Sequence, residues 1–191
     1  MSGASVLRTS RLILRPWVDA DVDAWAALNA DPRVMEFFPS TYDRARSESS
    51  AAAMRRDLAR DGYGWWALEV AGGAAFTGVV ALQQVPFQAP FTPALEVGWR
   101  LAHDYWGRGY ATEGAHAALD FAFDALGRDE VVAMTARPNL RSQRVMQRLG
   151  MRHDSCDDFD NPMLEADHPL RRHVLYRVRR DDWCDARRGI A

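Results

Sequence analysis

The chain has 191 residues, with 24 basic and 26 acidic side chains and two cysteines, the size of one domain. Hydrophobic residues make up 48% and charged residues 26%, enough to bury a core without disulfides or a structural metal. A net charge of −2 argues against general affinity for nucleic acid or anionic membrane. Every basic residue is arginine, which excludes a Schiff-base lysine, a P-loop lysine and a pyridoxal-phosphate anchor. The missing lysine and the abundance of Ala, Arg, Asp and Val point to a GC-rich, bacterial coding genome. The start has no apolar signal segment, and no apolar run reaches 18 residues, so a cytoplasmic protein is expected. Cys156 and Cys184 form no ligand spacing and read as free thiols.

In chain order, Arg11–Arg15 alternates Leu12 and Leu14 with Arg11, Ile13 and Arg15, as a strand near the surface does. Asp19 reads as the N-cap of a helix over 20–30, with Val22, Trp25 and Leu28 on one face and Asp31-Pro32 closing it. A polar helix is expected over about 44–60, with Met54 and Leu58 inward. Two strands, 65–70 and 76–82, flank Gly72-Gly73, a hairpin signal. The stretch 83–93, with three prolines and two phenylalanines, reads as an extended loop. Strand 95–101 places Leu95, Val97, Trp99 and Leu101 on one face and Glu96, Gly98 and Arg100 on the other. A glycine-rich turn then opens a helix over 110–127, with Gly127 as the residue that ends it. A strand over 131–136, a helix over 140–149 with Val145 and Leu149 inward, and strands at 151–155 and 173–178 complete the chain. This order gives a mixed, mostly antiparallel α/β sheet flanked by helices, in one domain over 1–191 with flexible ends at 1–8 and 182–191. The segment 95–136 predicts one parallel crossover.

The chemistry concentrates in Tyr105-Trp106-Gly107-Arg108-Gly109-Tyr110-Ala111-Thr112, between a strand and a helix. Such a turn exposes backbone N–H groups at a helix N-terminus, an anion site in which glycine allows close approach. No third glycine and no acidic strand end follow, so a dinucleotide fingerprint is excluded.

Here the sequence resembles the GNAT superfamily of acyl-CoA N-acyltransferases, and within it the branch containing the ribosomal-protein alanine N-acetyltransferases. Trp106–Ala111 matches the family's pyrophosphate loop except at its first position. Thr9–Pro16, Asn139-x-x-Ser142 and Leu149-Gly150-Met151 match further segments in the right order. The resemblance implies a single-domain GNAT fold whose splayed central strands hold acetyl-CoA. It gives the pantetheine arm to backbone groups of Trp99, Arg100 and Leu101, and the pyrophosphate to Trp106, Gly107, Arg108, Gly109, Tyr110, Ala111 and Thr112. Asn139 and Ser142 would face the sulfur end. Arg108, Arg141, Arg144 and Arg148 are candidates for the 3′-phosphate, where a guanidinium fork suits phosphate oxygens; for each the alternative is a solvated helix face.

Acetyl transfer to an amine needs a neutral nucleophile, a donor to the oxyanion and a proton for the thiolate. Met146 stands where many relatives carry a tyrosine acid, and Met134 where some carry a strand carboxylate. The remaining base candidate is Glu96, which reads equally as a carboxylate paired with Arg100. Ser142 is the candidate proton donor to sulfur, or a small residue filling space beside the cofactor. The implied activity is transfer of acetyl from acetyl-CoA to a primary amine, either a protein N-terminal α-amine or a small molecule, without metal. The alternative is an acyl-CoA-binding module with a degraded site, used as a sensor or scaffold. The acceptor is framed by 35–42, the 83–93 loop and the Asp- and His-rich stretch 153–173, which reads either as an attractor of cations or as a solvated loop. No nucleic-acid or membrane partner is expected, and the chain is expected to be a monomer or homodimer. Gly109→Val is expected to abolish CoA binding with little loss of fold.

Overall fold

The computed structural model describes residues 4–188. Nine strands, β1 (Leu7–Arg8), β2 (Leu12–Arg15), β3 (Trp65–Val70), β4 (Gly78–Gln84), β5 (Leu95–Leu101), β6 (Glu130–Ala136), β7 (Arg152–His153), β8 (Phe159–Asp160) and β9 (Arg172–Arg179), form one sheet. Its order is β1-β2-β3-β4-β5-β6-β9-β7, with β8 added beside β9. The helices are α1 (Asp21–Ala30), α2 (Arg44–Asp61), α3 (Tyr110–Asp120), α4 (Leu140–Arg148) and α5 (Arg180–Arg188).

All pairings are antiparallel except β5 with β6. β4 and β5 pair along their whole length, from Gly78↔Leu101 to Gln84↔Leu95. β5 and β6 meet only at Glu96↔Val132. Beyond Glu96 the backbone edges of both strands leave the ladder, and an extended chain has room to take their N–H and C=O groups.

Because side chains alternate, register assigns the two faces. Leu12, Leu68, Val80 and Trp99 point to the side covered by α3, where a Cβ on Gly114 would stand 2.9 Å from Val80 Cγ2. Small residues there let the helix lie against the sheet. Arg15, Ala67, Val79, Gly98, Arg100 and Glu96 point to the other side, covered by α1 and, beyond Glu96, by the 83–93 loop. The alternation read from strand 95–101 is thus the one the fold uses.

Several local expectations shift. α1 is preceded by Ala20 without a side-chain cap, and Asp19 instead pairs with Arg55 on α2. Asp21, the first residue of α1, is buried and fixes the turn before the helix, accepting from Val18 N–H at 2.8 Å while held by Arg15. The expected helix over 110–127 is α at first and then widens to a π-turn over Phe121–Ala125, ended by Gly127 at φ 64°. Val145 and Leu149 pack inward as expected, and Met146, 2% exposed, is the most deeply buried residue of α4. The strand expected at 76–82 runs from Gly78 to Gln84, and that at 151–155 shrinks to Arg152–His153.

The expected flexible ends are structured where described: Leu7–Arg8 pairs with β2, and α5 buries Trp183, whose Nε1 donates to Asp120 at 2.9 Å. Residues 1–3 and 189–191 lie outside the described residues. Among the described residues no helix is long and apolar enough to cross a membrane.

Candidate active site

After β5 the chain makes a short 3-10 turn, His103–Tyr105, and reaches Gly107 and Gly109 at φ 74° and 82°. Left-handed backbone at both positions is what a side chain with a Cβ disfavours. It turns the chain so that Tyr110, Ala111 and Thr112 open α3 directly, with no side chain capping its N-terminus. The first-turn N–H groups of a helix lack intrahelical partners, and at the start of α3 no side chain takes them up.

The loop is braced by residues the sequence reading left aside. Arg11 donates from Nη1 to the Arg108 carbonyl at 3.1 Å and from Nε to Glu113 at 2.7 Å. Glu113 also accepts from Thr9 Oγ1 at 2.5 Å and from Arg11 N–H at 3.1 Å. Burial pushes the Glu113 carboxyl up, but these bonds together outweigh it and hold the group below the ordinary glutamate range. The available signal was the Thr9-Ser10-Arg11 segment itself, matched to the family without a role.

The Trp106 side chain is anchored beside the loop. Its indole Nε1 donates to the Leu101 carbonyl at 2.8 Å, which already engages one of the backbone groups expected to meet pantetheine. Its ring lies 4.9 Å from the Arg141 guanidinium, whose other aromatic neighbour is Phe37 and whose carboxylate partner is Glu36. Arg141 therefore ties α4 to the segment after α1. Arg108 lies over the Tyr105 ring at 5.5 Å, and Arg144 and Arg148 are exposed on α4.

On the far side of the opening, Asn139 caps α4. Its Oδ1 accepts from Ser142 N–H at 3.2 Å and its Nδ2 donates to Thr135 Oγ1 at 2.9 Å and Ser142 Oγ at 3.2 Å. The amide is committed to the helix start, so Asn139 shapes the site through Ser142. Ser142 Oγ, accepting from Asn139, keeps its own proton to donate.

Glu96 stands where β5 and β6 part. It does not pair with Arg100: its Oε2 accepts from Gln83 Nε2 at 2.9 Å. Burial raises its pKa to about 7, and the Gln83 bond opposes part of that rise. Arg100 turns the other way, donating from Nη1 to Asn29 Oδ1 at 2.7 Å with its guanidinium 4.0 Å over the Phe38 ring. The Cβ direction of Gly98, between them, is open.

The 153–173 stretch is not a free acidic field. His153 bonds Asp158 at 2.7 Å, Arg177 holds Asp157 at 2.7 Å, and Arg172 reaches Asp160 at 3.3 Å. Phe159 joins Phe87 and Phe91 in a small second core with Val132 and Leu175. Among the described residues no group of three or more His, Cys, Asp or Glu converges as a metal site.

The comparisons agree with this geometry. The family model for the acetyltransferase (GNAT) domain matches residues 11–152. The FsC-acetyl coenzyme A-N(2)-transacetylase of Aspergillus fumigatus is 29% identical over 188 residues, covering 93% of this chain and 77% of its own. An acetyltransferase structure from Agrobacterium tumefaciens superposes with TM-score 0.72 at 27% identity, covering 93% and 96%. Mycobacterium smegmatis RimJ, solved with CoA-disulfide, shares the fold at TM-score 0.71 and 21% identity, covering 98% and 95%. With its one parted strand pair, glycine-built helix start and family match over most of its length, the chain belongs to the GNAT acetyltransferase family, whose members carry out acetyl-CoA-dependent acyl transfer.

Proposed function

We propose that this acetyltransferase moves the acetyl group of acetyl-CoA directly to a primary amine, with Glu96 as general base and Ser142 as hydrogen-bond donor to the leaving sulfur. The observation that carries the reading is the placement of Glu96, half-buried at the single register position shared by β5 and β6 and bonded to Gln83. The acceptor is a protein N-terminal α-amine or a small-molecule amine. A relative named as an N(2)-transacetylase supports a nitrogen acceptor.

In this reading the N–H groups of Gly107 to Thr112 hold the pyrophosphate, and the freed edge of β5 at Trp99 and Arg100 holds the pantetheine arm. The bound thioester supplies the activated carbonyl. An alkyl amine is mostly protonated near neutral pH, and only its neutral form attacks. A carboxylate with a pKa near 7 takes that proton at the pH of the reaction, where an ordinary glutamate is a weaker base. Glu96 and α4 lie on opposite sides of the sheet, so the proton acceptor and the Ser142 hydroxyl act from two sides of the gap. Holding thioester and amine together supplies a large further part of the rate.

The test is release of free thiol from acetyl-CoA across a panel of primary amines, for the wild type and Glu96→Gln, with CoA binding followed by thermal shift. Turnover on at least one amine, reduced to a slow residual rate in Glu96→Gln with CoA binding retained, supports the reading. Tight CoA binding without turnover on any amine favours the binding module, and activity undiminished in Glu96→Gln removes Glu96 as the base.

A further inference from the structure

The Glu96 carboxylate is the end of a chain of two hydrogen bonds that begins outside the β5–β6 gap. Trp65 Nε1 donates to Gln83 Oε1 at 2.9 Å, and Gln83 Nε2 donates to Glu96 Oε2 at 2.9 Å. All three side chains lie on one face of three adjacent strands: Trp65 pairs across from Ala81 on β3–β4, and Gln83 pairs directly with Glu96 on β4–β5. Trp17 adds a donor of its own to the Trp65 carbonyl at 2.7 Å, fixing the start of β3.

The polarity of this chain is forced. An indole N–H can only donate, so it takes the carbonyl end of the Gln83 amide. The NH₂ end is thereby turned to Glu96, and an amide fixed that way rewards an unprotonated oxygen. Had the amide been free to flip, its carbonyl would have met Glu96 and favoured the protonated acid instead. We propose that Gln83, oriented by Trp65, is a positioning residue for acetyl transfer, which holds the Glu96 carboxylate in one orientation and in its proton-accepting form. The proposal rests on the reading of Glu96 as the base.

Other charged groups on this face are engaged elsewhere. Arg15 on β2 holds Glu69 on β3 at 2.7 Å, and Arg177 on β9 holds Glu130 on β6 at 2.8 Å. Arg100 bonds Asn29, with Tyr42 beside it and Arg46 over the Tyr42 ring at 3.8 Å. His173 on β9 has its Nδ1 3.1 Å from the Arg171 carbonyl, and Arg179 lies near Glu130 at 3.8 Å. Burial and the Gln83 donor are the two influences left on the proton affinity of Glu96, and they act in opposite directions.

The test is the pH profile of kcat/KM for amine at saturating acetyl-CoA, for the wild type, Gln83→Met, Trp65→Phe and Glu96→Gln. Removing a hydrogen bond to a charged acceptor moves the acid limb upward by roughly one pH unit in Gln83→Met, a loss of roughly tenfold at pH 6 with little change at pH 9. Trp65→Phe keeps the ring and frees the amide, so it shifts the limb in the same direction by less and serves if Gln83→Met does not fold. A purely structural role would lower the whole profile evenly. An even loss, or an unmoved limb in both variants, overturns the proposal while Glu96→Gln still abolishes the limb. A wild-type limb persisting in Glu96→Gln overturns the base reading itself.

Discussion

Arg100 on β5 reaches Asn29 on α1 with a 2.7 Å hydrogen bond from Nη1 to Oδ1, and this joins the central strand to the helix that roofs the Glu96 face. Arg100 is 9% exposed, its guanidinium is boxed by Phe38, Trp25 and Tyr42, and its Nε has no hydrogen-bond partner. Burial pulls its pKa down from the usual arginine value. Among the described residues no carboxylate pairs with it, so flat aromatic faces and one amide oxygen hold the cation.

Arg100→Ala should therefore destabilise the fold by about 2–4 kcal/mol, through the lost packing and an unsatisfied Asn29 oxygen. Arg100→Lys keeps the charge without the plane that stacks on Phe38, so it should recover only part of the loss. Urea midpoints of the two variants and the wild type check this, and a Lys variant as stable as the wild type would show that the plane contributes nothing.

Gly109→Val should abolish CoA affinity, yet the fold will not be indifferent to it. A β-branched residue at φ 82° adds strain of about 1–3 kcal/mol, and its Cβ would stand 3.4 Å from Arg11 Nη2. The expectation of little loss is thus replaced by a measurable drop in melting temperature. Gly107→Ala, whose Cβ meets nothing within 4 Å, isolates the backbone strain from the contact. Calorimetry with CoA on both variants separates the two effects.

Asn139→Ala should cost about 0.5–2 kcal/mol, the usual range for a lost N-cap, and should also release the Ser142 hydroxyl. Ser142→Ala leaves the Asn139 bond to the backbone N–H of position 142 intact and should change stability little while lowering kcat. Chemical denaturation and steady-state rates on the pair distinguish the helix cap from the hydrogen-bond donor to sulfur.

Glu96 makes stability and activity diverge with pH. Its folded pKa, about 7, lies above the ordinary glutamate value of 4.5, so the protonated side chain stabilises the fold fully below about pH 4.5 and this is lost as pH rises through 7. At 1.36 kcal/mol per unit the loss is about 3 kcal/mol at most. Glu96→Gln should accordingly keep only a slow residual rate, be more stable than the wild type at pH 8, and be flatter in stability between pH 5 and 8. Denaturation midpoints at the two pH values test this directly; a wild type no more pH-sensitive than the Glu96→Gln variant would count against it.

Much of this arrangement was legible in the chain before folding. The alternation of Leu95–Leu101 assigns Glu96, Gly98 and Arg100 to one face because the period of a strand is two. Gly107 and Gly109 announce a turn into α3, since few other residues accept such backbone angles. For individual charged side chains, the alternatives left open by sequence were questions of partner. Glu96 and Arg100 sit four residues apart on one face and look like a pair, but Gln83 and Asn29 claim them from neighbouring elements. Arg141 reads as a phosphate ligand or part of a solvated face, and the fold brings Glu36, Phe37 and Trp106 around it.

Length, even charge balance and lack of lysine set the outline: one α/β domain in which any phosphate must rest on backbone N–H groups and arginine forks. The tertiary structure refined that consequence. Arg11 and Arg141, two arginines near the proposed cofactor path, brace the loop and tie α4 to the segment after α1, so the proposed phosphate site draws on the backbone N–H groups at the start of α3 and on the exposed arginines Arg108, Arg144 and Arg148. Local pattern dictates which side chains share a face, because it follows from backbone geometry. Which donor meets which acceptor depends on strand register and helix docking between residues far apart in the chain, and only the folded molecule decides it.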